Sequence, residues 1–191
     1  MSAFPEIRTV RSILKRISNC DISILKEIFE DEETQKNLPE LYTLIDESDG
    51  VQKFISAFDT YSEKGDGYLW GIHSEDKLLG FVAVVDLSCK PTLFYAMHPE
   101  CRSQGYMKES VASLIDFLRD AKICQIITTE VYRTNEVSLY VLRSLGFDTC
   151  NVDDDKIQMS MMISRSVRQA SDEVHINQLA AITEVVPGSG G

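Results

Sequence analysis

The stretch from Tyr68 to Tyr132 changes its apolar period twice, and this limits the folds open to the chain more than any other feature. Three strand-length runs, "YLWGIH" (68–73), "LLGFVAVVDL" (78–87) and "TLFYAMH" (92–98), are joined by the polar links "SEDK" and "SCKP". Such short links imply antiparallel neighbours. Met107, Val111, Leu114, Ile115 and Leu118 then recur at helical spacing, and "CQIITTEVY" (124–132) reads as a strand again. A full helix between two strands lets the second run parallel to the first.

The flanks extend this pattern. Residues 8–18, "RTVRSILKRIS", read as a first strand, and Ile22, Leu25, Ile28 and Phe29 as a helix capped by Asp21. A polar connection containing Pro39 leads to a second helix marked by Val51, Phe54, Ile55, Phe58 and Tyr61, which "GDG" at 65–67 ends. Asn135 caps a shorter helix through Leu145, Gly146 supplies its left-handed stop, and two last strands surround "DDD" at 153–155. The predicted fold class is α/β (α+β): a single mixed, mostly antiparallel sheet of about seven strands with helices on both faces.

A chain of 191 residues, 43% apolar, suffices for one core of this kind. The expected domain is 1–164. Residues 165–191 form an extension, helical over "VRQASDEVHINQLAAITEVV" and flexible at "PGSGG". No apolar block follows the N-terminal charges and no run approaches membrane length, so a cytoplasmic protein is expected. Five scattered cysteines without a C-x-x-C pair fit reduced thiols rather than a zinc site, and no metal is expected. A net charge of −11 argues against general nucleic-acid binding and for a cationic partner.

In "HPECRSQGYMKES" (98–110) a polar turn opens the best-patterned helix. A turn entering a helix presents unpaired N–H groups at the positive end of the helix dipole, which suits a phosphate or pyrophosphate. Gly105 permits close approach, and Arg102 and Lys108 add positive charge. The turn is neither a P-loop nor a dinucleotide fingerprint, since it holds only one glycine.

Taken together, "LLGFVAVVDL", "LFYAMHPECRSQGYMKESV" and "EVYRTNEVSLYVLRSLGF" resemble the acetyl-coenzyme A dependent N-acetyltransferase (GNAT) superfamily. Its signature [RQ]-x-x-G-x-[GA] is met by Arg102, Gly105 and Met107, with methionine in place of the usual small residue. The "GYM" form, the opening "RTVRSILKRISNCDISILKEIFEDEETQKNLP" and "NEVS" are similar to the branch that acetylates ribosomal-protein N-termini. The resemblance covers about residues 7–164.

That resemblance implies acetyl-CoA as cosubstrate. Its pyrophosphate would rest on the turn formed by Arg102, Ser103, Gln104, Gly105, Tyr106, Met107 and Lys108. Its pantetheine arm would run along "LFYAMH", with the backbone N–H of Met97 facing the thioester oxygen. Asn135 would contact the pantetheine, and Ser138 the sulfur. Glu130 is the candidate acceptor of the amine proton and Ser138 the candidate donor to the thiolate. The tyrosine that often serves as that donor is replaced by Leu142, and Tyr140 lies about 200° away around the helix.

The implied activity is transfer of acetyl to a primary amine, a protein N-terminus first. A small-molecule or antibiotic amine, or an acyl-CoA-binding sensor without turnover, are the alternatives, and a monomer or homodimer is expected. His73 and His98 read as strand-end residues, and His175 lies in the extension. Trp70, Phe94 and Tyr95 read as core, with Trp70 or Tyr95 able to border the acceptor groove. Asp46, Glu47, Asp49, Asp59 and Glu63 give the acceptor side negative character.

Overall fold

The computed structural model describes residues 4–44 and 49–163. The expected extension, with His175, and the acidic pair Asp46 and Glu47 lie outside these residues. Eight strands form one sheet in the order β1-β2-β3-β4-β5-β6-β8-β7. They are β1 (Ile7–Arg8), β2 (Ile13–Arg16), β3 (Tyr68–Ser74), β4 (Lys77–Val85), β5 (Thr92–Met97), β6 (Ile126–Tyr132), β7 (Asp148–Val152) and β8 (Lys156–Met162). Every pairing is antiparallel except β5 with β6. The predicted mixed, mostly antiparallel sheet is therefore the observed one, with eight strands for about seven.

Helices cover both faces. On one, α4 (Tyr106–Asp120) and α5 (Glu136–Ser144) bury Val111, Leu114, Leu118, Leu139 and Leu142 against Val82, Val84 and Ile127. On the other, α1 (Ile22–Glu30) and α3 (Gly50–Lys64) pack on Phe81, Ala83 and Ala96. There Phe29, Phe54, Phe58 and Phe81 meet largely edge to face, with centroids 5.1–6.1 Å apart. Removing one of these rings would cost about 3–5 kcal/mol in lost transfer energy and cavity formation. Both layers are dictated by the alternation of β4, whose successive side chains enter opposite cores.

Two local readings are corrected. The single strand expected over 8–18 is a hairpin, because Thr9 and Ser12 close a turn on themselves, Thr9 N donating to Ser12 O at 2.9 Å. Val10 is β-branched, yet at the tip of this turn it is 90% exposed. The connection expected before Pro39 contains a further helix, α2 (Glu32–Asn37), capped by Asp31, which accepts from Thr34 N at 2.9 Å. It has no apolar stripe, so periodicity does not reveal it.

Asp21 does not cap α1 as expected, because its carboxylate turns back to accept from Ser18 N at 2.8 Å and to meet His73. Asn135 caps α5, and Gly146 has φ of 95° just beyond it. Trp70 is fully buried and donates to Pro5 O at 2.8 Å, away from any groove. His73 is buried at the end of β3, with Nε2 3.1 Å from Asp21 and Nδ1 3.1 Å from Gly71 O. All five cysteines are free. Among the described residues no helix is long and apolar enough to cross a membrane.

Candidate active site

β5 and β6 share a single register pair, Thr92 with Thr128, and part beyond it. The cause lies on their outer edges. β5 stays paired with β4 as far as Met97, and β6 stays paired with β8 as far as Tyr132. Each strand is committed outward, so the inner edges can separate without stranding either ladder.

The orientation of the backbone in this opening follows from strand geometry. His98 N–H donates to Leu79 O of β4 at 2.8 Å. N–H groups alternate in direction along a strand, so the amide of Met97 faces the opposite way, into the gap toward β6. The gap widens into a cavity of about 270 Å³, walled by β5, β6, the 102–108 turn, α2 and the first turn of α5.

The turn forms the base of this cavity. Ser103 and Gly105 both adopt left-handed backbone, with φ of 59° and 83°, and this curls the chain so that successive N–H groups converge. The first intrahelical donor of α4 is Glu109 N, to Gly105 O at 3.1 Å. The amides of Tyr106, Met107 and Lys108 precede it and are available to an anion. A Cβ on Gly105 would sit 3.3 Å from the guanidinium of Arg11. Arg102 N–H is the exception in the turn, since it donates to Pro99 O at 3.3 Å.

The cations around the turn are disposed in ways the sequence does not reveal. Arg102 extends to α2, pairing with Asp31 and donating to Thr34 Oγ1 at 3.1 Å. Burial pushes the Asp31 carboxyl up, but the bonds from Arg102 and Thr34 outweigh it and hold the group below its ordinary value. Arg11, from the β1–β2 turn, donates from Nε to Glu109 at 2.9 Å and from Nη2 to Gln104 O at 3.1 Å. Its guanidinium lies 4.4 Å over the Tyr106 ring. Lys108 lines the cavity and is exposed.

The remaining predicted residues line the cavity from β5, β6 and the start of α5. Asn135, Ser138, Glu130 and Met97 all line the cavity, as do the turn residues 102–108 apart from Gln104. Asn135 Oδ1 accepts from Ser138 N at 3.0 Å, so its carbonyl is used as the helix cap and its NH₂ is left to donate. Glu130 is exposed and accepts from Gln158 Nε2 at 2.9 Å. Met107 is buried in the core beneath the turn. Leu142 is fully buried, and Tyr140 is 72% exposed.

Other predicted groups lie away from the cavity. His98 bonds Glu27 through Nε2 at 3.1 Å, and Asp59 pairs with Arg16 at 2.7 Å. Asp49 and Glu63 are exposed and do not line the cavity. Besides Glu130, the acidic residue lining the cavity is Glu33 of α2, which lies beside Asn37. The cap pattern Asp31-x-x-Thr34 is the one sequence signal that points to them.

The sequence profile of the acetyltransferase (GNAT) domain matches residues 11–148. The chain belongs to the GNAT acetyltransferase family. This GNAT chain is 26% identical over 153 residues to an uncharacterized N-acetyltransferase, YoaA, of Bacillus subtilis strain 168, covering 75% of this chain and 83% of that protein. Its fold is similar to that of RimL, a ribosomal L7/L12 α-N-protein acetyltransferase solved with coenzyme A, with a TM-score of 0.74 at 12% identity over 83% of this chain and 98% of that one. It is also similar to the ribosomal-protein-S5-alanine acetyltransferase of Vibrio fischeri, with a TM-score of 0.72 at 16% identity over 84% and 97% of the two chains. Spermidine N-acetyltransferase of Vibrio cholerae, solved with coenzyme A and spermine, gives 0.65 at 11% identity over 80% and 95%.

Proposed function

We propose that this GNAT protein transfers acetyl from acetyl-CoA to a primary amine, and that the amine is a protein N-terminus. The observation that carries the reading is the parted β5–β6 edge, where the Met97 amide faces a cavity floored by the amides of residues 106–108. The residues present fit the cosubstrate: a row of free amides for its phosphates, an open strand edge for its pantetheine arm, and one inward N–H for its carbonyl oxygen.

Bound acetyl-CoA would supply an acetyl thioester, whose C–S bond breaks as the amine nitrogen bonds to the carbonyl carbon. The chain orients the two reactants. Met97 N–H donates to the oxygen on which negative charge grows. Glu130, which lines the cavity from β6, accepts the proton released by the amine. Once nitrogen begins to bond to carbon its N–H becomes strongly acidic, so a carboxylate is base enough. Ser138 donates a hydrogen bond at the sulfur that departs as thiolate.

The choice of amine follows from what the site contains. An α-amine has a pKa near 8 against about 10.4 for lysine, so it needs no strongly basic partner. Glu33 and Glu130 give the mouth of the cavity the sign that attracts it. The test is incubation with acetyl-CoA and a panel of amines, with free thiol as the readout. Release with peptides bearing a free N-terminus, and none with the same lysine-free peptides blocked at that end, is expected. Release with polyamines alone would overturn the acceptor. Tight acetyl-CoA binding without release for any amine would overturn the reaction.

A further inference from the structure

The turn between β1 and β2 lies against the mouth of α4, and Glu109 fastens the two together. Its Oε1 accepts from Thr9 Oγ1 and, at 2.6 Å, from Arg11 N; its Oε2 accepts from Arg11 Nε at 2.9 Å. Burial pushes the Glu109 carboxyl up, but the bonds from Thr9 and Arg11 outweigh it and hold the group below its ordinary value. The carboxylate is therefore fully charged at neutral pH.

Its place in the fold makes that charge matter to the cavity. Glu109 follows directly on Tyr106, Met107 and Lys108, whose amides are free to take an anion. A carboxylate on the first turn of a helix is drawn to the same positive end as a bound phosphate, and the two repel one another. The cations of the turn leave little in reserve. Arg102 is paired with Asp31 and Glu109 with Arg11, so within residues 102–109 Lys108 is the charge that no ion pair among the described residues engages. Without Arg11, Glu109 would offset Lys108, and the mouth of α4 would present no net side-chain charge to a phosphate. Arg11 is also built into the turn. Its Nη2 donates to Gln104 O at 3.1 Å and stands 3.3 Å from where a Cβ on Gly105 would be, so the glycine makes room for the guanidinium.

We propose that Arg11 is a positioning residue for the cosubstrate: by holding and neutralising the Glu109 carboxylate, it keeps the amides of residues 106–108 open to the phosphates of CoA. Arg11 acts through Glu109 and takes no part in the acetyl transfer.

The inference rests on the proposed cosubstrate, and its test does not need an acceptor amine. The probe is CoA itself, with its Kd measured by isothermal titration calorimetry. Arg11 is half-exposed on a surface turn, so its substitution leaves both cores intact. Arg11→Met should weaken CoA binding about tenfold, about 1.4 kcal/mol. Glu109→Gln should change it less than about threefold, and the double variant should return to within about threefold of the wild type. The loss in Arg11→Met should be largest at low salt and shrink as added salt screens the uncompensated carboxylate. In turnover Arg11→Met should raise KM for acetyl-CoA and leave kcat at saturation unchanged. A double variant that binds CoA as weakly as Arg11→Met would overturn the inference, since neither a direct Arg11–phosphate contact nor a mere brace for the hairpin is rescued by removing the carboxylate. Wild-type affinity in Arg11→Met would overturn it as well. A wild-type protein that does not bind CoA would reject the cosubstrate and this inference with it. Binding and rescue without thiol release on any amine would leave the Arg11–Glu109 role standing and reject the transfer reaction alone.

Discussion

Arg102 is the residue at which a signature reading and the structure assign one side chain two different partners, and the pair Asp31→Asn and Arg102→Met separates them. Asparagine keeps the cap on α2, since it is as good an N-cap as aspartate. What it removes is the charge facing Arg102. The pair is partly buried, with side-chain exposures of 32% for Arg102 and 17% for Asp31. Exposed ion pairs contribute about 0.2–1 kcal/mol, and hydrogen bonds to charged groups about 1.5–3. A cost of about 1–2 kcal/mol for Asp31→Asn lies between, which in a domain of this size lowers Tm by roughly 3–6 °C.

The pH dependence has a definite sign. The folded-state pKa of Asp31 is depressed from 3.8, so its contribution is present above about pH 4 and is lost as pH falls through the folded value. Urea unfolding should therefore show a constant deficit for Asp31→Asn from pH 5 to 8 that closes in stronger acid. The double variant should be less destabilised than the sum of the two singles by about 1 kcal/mol. Acetyl-CoA affinity should change less than tenfold in Arg102→Met, less than about 1.4 kcal/mol, because the guanidinium is held by α2 rather than by phosphate. A larger loss in Arg102→Met with none in Asp31→Asn would refute this reasoning and return Arg102 to the cofactor.

Three further outcomes follow from the site. Gly105→Val should cost about 1–2 kcal/mol of stability, since valine is strained at φ of 83° and its Cβ meets Arg11, and should abolish acetyl-CoA binding while circular dichroism remains native. Acetyl-CoA at about 100 times its Kd should stabilise the wild type by roughly 2.7 kcal/mol, read as a rise in Tm that Gly105→Val does not show. Glu130→Gln should lower kcat by about 10²-fold with acetyl-CoA affinity unchanged. The rising limb of its pH–rate profile should stay near pH 8, because that limb belongs to the acceptor amine; a limb that moves would assign it to Glu130 instead.

The sequence by itself determined the layers and their order. Alternation in β4 and β5 and the 3.6-residue period of α4 state which side chains are buried and on which face, and such periods survive whatever the element packs against. Local chemistry was equally legible: Asn135 as the cap of α5, which accepts from Ser138 N, Gly146 as the left-handed stop beyond that helix, and short links that make β3 to β5 antiparallel. These depend on residues a few positions apart. What only the tertiary structure decided is the choice among distant partners. Arg102 reads the same in sequence whether it meets a phosphate or Asp31, 71 residues away, and Arg11 finds Glu109 at a separation of 98. The parting of β5 from β6 has no local mark at all, because it arises from β4 and β8 holding the two outer edges. Period and capping are set by nearest neighbours along the chain, whereas the pairing of charges and hydroxyls is set by which segments the closed core brings within about 3 Å of each other.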